Sequence, residues 1–246
     1  MISHVNLTEM KERWRLRSGI CLSTRQPTFT SLKSVKDFLG FEPLSNVWKM
    51  PEYSFNIPAQ ECKAGGEMIN LKGSICEGCY AYNKGRYRFS NVINSMYNKF
   101  EFAMSDYFVP VMTYVINKRE VKYFRWFDSG DIQDENMLDN ICNICRATPD
   151  TKHWLPTKEW KMVTKYIQSG HKIPDNLDIR LSGLYIDGPP PTKLANKLGL
   201  NTSTVVTKKV FDKLLFKCPS SKQENQCRDC RACWTKGVRN VPYKYH

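Results

Sequence analysis

The chain has 246 residues, 41% of them hydrophobic, with ten cysteines and a formal charge of +13. A chain of this length encloses a core without covalent crosslinks, and no stretch is apolar and long enough to cross a bilayer, so a disulfide-stapled miniprotein and a membrane-spanning protein are both excluded as expectations. Lys and Arg outnumber Asp and Glu by 37 to 24, which favours an anionic partner, either nucleic acid or a negatively charged small molecule.

The polar start "MISHVNLTEMKERWRLRSG" has no signal-peptide core. The expected location is therefore a cytoplasm, where thiols stay reduced and clustered cysteines point to metal ligation or thiol chemistry. Residues 1–48 read as a helical extension, with "NLTEMKERWRL" capped by Asn6 or Thr8 and "SLKSVKDFLGF" opened by Ser31. Residues 49–246 read as one α/β domain. It begins with a strand in "KMPEYSF" and a long glycine-rich loop that carries Cys62, Cys76 and Cys79. Residues 91–118 place Val92, Met96, Phe100, Met104 and Phe108 at helical spacing, with an interruption at Pro110.

A rhythm then sets in. "VKYFRWF" (121–127), "HWLPTK" (153–158), "LDIRLSG" (177–183) and "NTSTVVT" (201–207) read as strands. Between them lie the helices "DENMLDNICNICRAT", "EWKMVTKYIQSG" and "PPTKLANKLG", the last with prolines at its start and Gly199 at its end. This alternation predicts parallel βα units in a partial or closed TIM-like barrel, with the cysteine-rich loops packed at its rim.

In such folds the chemistry sits at the carboxyl ends of the strands. Those ends supply Asp128, Ser129, Asp131, Thr157, Lys158, Glu159, Ser182 and Asp187. Each alone suits a cap or a turn; as a set on one rim they suggest a binding site. Arg125, inside a strand, needs a partner, and Asp128 and Asp131 are the candidates. Together with Lys158 these residues would position an anionic substrate. "NKGRYRF" (83–89) mixes Arg with Tyr and suits a phosphate, a carboxylate or a nucleobase, held by forked hydrogen bonds and stacking.

The strongest signal is "KCPSSKQENQCRDCRACW" (217–234), with Cys218 followed by Cys227, Cys230 and Cys233. Structural zinc usually draws paired ligands from two separated knuckles. Three thiols with two residues between each neighbouring pair let one loop wrap three corners of a cubane while a fourth cysteine caps the remaining iron. The spacing favours a [4Fe-4S] cluster, with zinc as the alternative metal. Cys62, Cys76 and Cys79 form a second group with no evident fourth ligand. They would hold a cluster with one open iron, borrow a cysteine, share a single cluster with the first group, or make a zinc knuckle at Cys76 and Cys79. One or two clusters are thus expected. Cys142 and Cys145, on one helix face beside Leu138, Ile141 and Ile144, read as core packing, and Cys21 as structural.

"KMPEYSFNIPAQEC", "CEGCYAYNKGRY", "FRWFDSGDIQD", "PTK", "LSG" and the terminal "CP…C..C..CW" occur in the same order in the phage family called gene product 88, which this sequence resembles from about residue 49 to 234. The resemblance implies a phage-encoded protein with clustered cysteines, acting in the cytoplasm of the infected bacterial host. The layout is also similar to radical S-adenosylmethionine enzymes, partial βα barrels in which three cysteines bind an open-cornered cluster. That similarity implies Cys62, Cys76 and Cys79 as ligands and places the rim segment Ser129-Gly130-Asp131 where that family binds its methionine cofactor; Ser182 on the same rim is a further candidate contact for S-adenosylmethionine. The spacing departs from that family, since thirteen residues separate Cys62 from Cys76. Three functions follow as expectations: an iron–sulfur enzyme performing redox or radical chemistry, a nucleic-acid-binding protein with structural metal, or an electron-transfer protein with a redox partner.

Overall fold

A computed structural model describes residues 28–245; the helix expected near Asn6 and Thr8, and Cys21, lie outside them. Helix α1, Leu32–Leu39, begins where its sequence suggests. The Ser31 hydroxyl accepts the Ser34 N–H, the Ser34 hydroxyl accepts the Ser31 N–H, and the helix stops at Gly40 with φ 76°. Val35, Leu39 and Leu44 join the main core, so this part of the N-terminal segment packs with the sheet.

Seven strands form one sheet in sequence order: β1 (Ser45–Asn46), β2 (Tyr53–Phe55), β3 (Tyr123–Trp126), β4 (Lys152–Thr157), β5 (Leu177–Ser182), β6 (Asn201–Val206) and β7 (Asn240–Lys244). All neighbours pair in parallel except β1 with β2. The sheet does not close. Its edges are the two-residue β1 and the proline-bearing β7, and Pro242 suits an edge because it has no N–H to give a further strand. A closed barrel is therefore not formed.

The two faces of the sheet differ. Phe124, Trp126, Leu155, Leu177, Ile179 and Leu181 point to one side. There they meet α5 (Phe108–Lys118), α6 (Glu135–Ala147), α7 (Trp160–Gln168) and α8 (Thr192–Leu198), through Val115, Ile141, Val163 and Ala195 among others. Cys142 and Cys145 are fully buried in this core, as their apolar neighbours predicted. The alternate residues, Tyr123, Arg125, Trp154 and Arg180, face the opposite side, and the chain from Cys218 to Val238 covers them. The expectation that both cysteine loops pack at the rim is corrected here. The first loop does so, whereas the second lies across the sheet's other face.

Around Pro110 there are two helices, α4 (Ser90–Ala103) and α5, and the break between them precedes the proline. Pro110 occupies the first turn of α5, where its missing N–H has no helical partner to lose. Three shorter α-helices lie among the described residues: α2 (Lys63–Met68), α3 (Tyr80–Asn83) and α9 (Lys208–Lys213).

Candidate metal centres

Cys218, Cys227, Cys230 and Cys233 line one small pocket, walled by Pro219, Ala232, Trp234 and Val241. Non-local bonds hold this loop. The Cys227 N–H donates to the Lys49 carbonyl at 2.9 Å, the Cys218 N–H to the Pro242 carbonyl at 2.9 Å, and the Trp234 indole N–H to the Phe124 carbonyl at 2.9 Å. Trp234 also packs edge-on against Trp154 and Tyr123.

Arg180 anchors the same loop from below. Fully buried, it donates to the carbonyls of Thr202, Ala232, Cys233, Thr235 and Val238 and pairs with Asp178 at 2.7 Å. A guanidinium can be buried when every N–H is satisfied and a carboxylate balances its charge. Sequence reading passed over this residue, although an arginine in the middle of "LDIRLS" was the available signal.

Arg125 corrects an expectation. Asp128 is paired with Arg86 at 3.2 Å and accepts from the Ser54 hydroxyl at 3.2 Å. Asp131 accepts from the Thr157 hydroxyl at 2.6 Å and from the N–H groups of Lys158 and Ile132 at 2.9 and 2.8 Å. Arg125 reaches neither. It points to the other face, with its guanidinium 4.6 Å from the centroid of Trp154 and close enough to Cys227 to favour that thiolate. It has no ion pair among the described residues, and its Nε is buried without a partner. The cause is strand alternation: Arg125 sits between the core residues Phe124 and Trp126, so its side chain must leave on the opposite side.

The first cysteine group is assembled at the carboxyl ends of β3, β4 and β5. Glu159 accepts the Ala64 N–H at 2.8 Å and so fixes α2, which starts directly after Cys62. The Ile75 N–H donates to Leu184 at 2.9 Å, and the Ile186 N–H to Gly73 at 3.0 Å, tying the Cys76 loop to the end of β5. The Cys79 N–H donates to the Cys76 carbonyl at 3.1 Å. A Cβ at Gly65 would stand 3.5 Å from the Cys76 sulfur and 3.7 Å from the Cys62 sulfur, so glycine leaves the space between those two sulfurs clear. Lys158 lies within electrostatic range of all three thiols, and Asp131 of Cys62 and Cys76.

The remaining rim residues are placed as follows. Ser129 is buried, and its carbonyl accepts the Ile57 N–H at 3.1 Å. Gly130, at φ +83°, presses on Ile57: an added Cβ would meet Ile57 Cγ1 at 2.2 Å and its carbonyl oxygen at 2.8 Å. Its glycine is thus required by packing. Ser182 accepts from the Ser203 hydroxyl at 3.3 Å and from the Trp160 indole at 3.0 Å. Asp187 accepts both the N–H and the hydroxyl of Thr207, at 2.7 and 2.8 Å.

The electrostatics of the two groups differ. In the terminal pocket burial pushes Cys227 up and Cys233 up to about 12, the latter against a 3.0 Å hydrogen bond with the Tyr243 hydroxyl. At the rim burial raises Cys62 and Cys76 and also the Asp131 carboxyl. Burial pulls the Lys158 ammonium down, but Cys76, Asp131, Cys62 and Cys79 together hold it above its ordinary value. Raised thiols ionise when a cation takes the place of their protons, so metal binding at either group would release protons. Among the described residues no three His, Cys, Asp or Glu side chains are drawn tightly enough together for one metal ion.

No helix among the described residues is long and apolar enough to cross a membrane. Comparison with curated proteins and with solved structures found no match. The family model described as gene product 88 matches residues 22–236, a span that includes both cysteine groups, and the chain belongs to that family.

Proposed function

We propose that this protein is an iron–sulfur protein. Its terminal group, Cys218, Cys227, Cys230 and Cys233, holds a [4Fe-4S] cluster, and Cys62, Cys76 and Cys79 form a second, three-thiol centre at the rim. The observation that carries the reading is the convergence of four cysteines, drawn from a sixteen-residue span, on one pocket. One feature favours a polynuclear cluster over zinc, the spacing of Cys227, Cys230 and Cys233. A metal–thiolate centre of this kind is anionic, and Arg125, with no carboxylate of its own, supplies a matching positive charge beside Cys227.

Such a cluster supplies one-electron transfer when bound, and at a three-cysteine site one iron with a free coordination position. The chain's own residues then divide the work. Trp154, Trp234 and Val241 pack around Cys233, and the Tyr243 hydroxyl shares a hydrogen bond with its sulfur. At the rim Lys158 offers a cation to an anionic substrate beside the three thiols. Asp131 orients the start of the β4–α7 loop through the Lys158 N–H, and Asp128 is committed to holding Arg86. S-adenosylmethionine is the ligand to test first at the rim. The sequential strand order with helices on one face supports reading the sheet as a partial barrel. With the family's phage origin, the site of action is the host cytoplasm.

Protein purified without oxygen is expected to be brown, to absorb near ~400 nm, and to carry iron and acid-labile sulfide in equal amounts. A colourless protein with stoichiometric zinc would overturn the reading.

A further inference from the structure

Between Glu77 and Glu101 the chain contains no acidic residue, while Lys84, Arg86, Arg88 and Lys99 all lie there. The same stretch exposes aromatic rings that a soluble surface would ordinarily cover. Tyr80 is 61% exposed, Phe89 52% and Tyr82 39%. Tyr80 is the first residue of α3 and Phe89 caps α4, both on a short excursion between Cys79 and the α4 helix. The ring of Tyr87 below them is buried and serves as the base of the platform.

The cations are laid on these rings. The Arg88 guanidinium lies 5.3 Å from the centroid of Phe89, and that of Arg86 5.0 Å from the centroid of Tyr87. Arg86 is further fixed by Asp128, and the Tyr80 hydroxyl reaches the Asp128 carbonyl at 3.4 Å. Arg88 makes no ion pair among the described residues, and its charge faces solvent. Flat rings and stacked guanidinium groups, interleaved and with Asp128 paired to Arg86 while Arg88 is left unpaired among the described residues, combine two attractions. The rings accept planar bases of any sequence, and the cations accept a phosphate backbone. A duplex, whose bases are already stacked on one another, would use only the second.

We propose that residues 80–89 form a docking surface for single-stranded nucleic acid, which delivers the strand to the rim beside Cys79, Asp128 and Lys158. The surface stands apart from the metal reading, since its rings and cations are exposed whatever the cysteines hold. Its occupant is identified by chemistry: a flexible polyanion with unpaired, stackable bases.

The test is fluorescence anisotropy of the anaerobically purified full chain with a labelled single strand of about 12 nucleotides, and with the matching duplex. Single-strand binding should be the tighter. Tyr82→Ala and Phe89→Ala should each weaken it roughly tenfold and leave duplex binding unchanged, whereas Phe89→Tyr, which keeps a ring, should retain it. Arg88→Gln should weaken binding and flatten its dependence on salt. Melting followed by circular dichroism establishes that each variant is folded. No saturable binding at low salt would overturn the proposal. So would binding that is equal for duplex and single strand, or that responds to Lys172→Gln on a remote surface as much as to the ring substitutions.

Discussion

The two cysteine groups use the same ligand type in opposite surroundings. The terminal group sits among Trp154, Trp234 and Val241, tied down by Arg180 and remote from the strand ends where substrates usually enter. The rim group has three thiols with Lys158 and Asp131 beside them, and Cys62 and Cys79 pack against Ala59, Ala81, Tyr87 and Met96. A four-thiol site beside two tryptophans, if it binds metal as proposed, suits a centre that keeps its place in the fold. A three-thiol site with the charged Lys158 and Asp131 beside it suits one that meets a ligand. Under the proposed iron–sulfur reading, the supporting centre and the reacting one lie on different sides of a single sheet.

The largest expected effect falls on the terminal side. Arg180→Met strands Asp178 in the interior and frees five carbonyls, so chemical denaturation should show a loss of about 3–5 kcal/mol. Iron at the terminal pocket should be lost in the same variant while rim iron is kept; equal loss at both would show that the two centres are not independent. Gly130→Ala reverses the pattern. It forces a Cβ into Ile57 at a positive φ and should cost about 2 kcal/mol or more by thermal unfolding, with the disturbance confined to the rim.

A third prediction separates acid unfolding from metal loss. His153 is buried against Trp126 and touches neither centre, and burial lowers its pKa from 6.5 to about 3. The unfolded chain therefore takes up a proton that the folded chain refuses. Stability is complete above the unfolded value and declines as pH falls from 6.5 towards 3, by about 2 kcal/mol at pH ~5. His153→Gln should flatten the pH dependence of the denaturation midpoint in that window; an unchanged slope would remove His153 as its cause. The smallest effect is expected from Arg125→Gln. Removing a cation beside Cys227 disfavours the more negative reduced state and should lower the terminal midpoint potential, on the order of tens of millivolts. The rim signal should not move, and a shift there instead would return Arg125 to the rim.

Much of this arrangement was legible in the chain. The four strands from Tyr123 to Val206 announced themselves through apolar runs between turn residues, and Ser31 and Gly199 marked helix ends by their local chemistry. β7 did not, because "NVPYK" is short, half polar and broken by proline, and becomes a strand only by pairing with β6. The cysteine groups were legible as groups. Their positions were not, since the seat of the terminal loop depends on Trp234 reaching Phe124 and Arg180 reaching Val238, contacts far apart in sequence. The assignment of Arg125 to the rim failed for a simpler reason. The alternation of "YFRW" already sends Arg125 and the core residues Phe124 and Trp126 to different faces, and only residues beyond the strand end can reach the rim.

Paired iron and sulfide determinations on two serine triples, each purified anaerobically beside the unaltered chain, probe the division of labour most directly. If the terminal thiols hold a cubane, C227S/C230S/C233S loses about four irons per chain along with much of its thermal stability. C62S/C76S/C79S then keeps the terminal iron and melts close to the parent protein. Unchanged iron in the first variant, or equal melting of the two, would contradict the account.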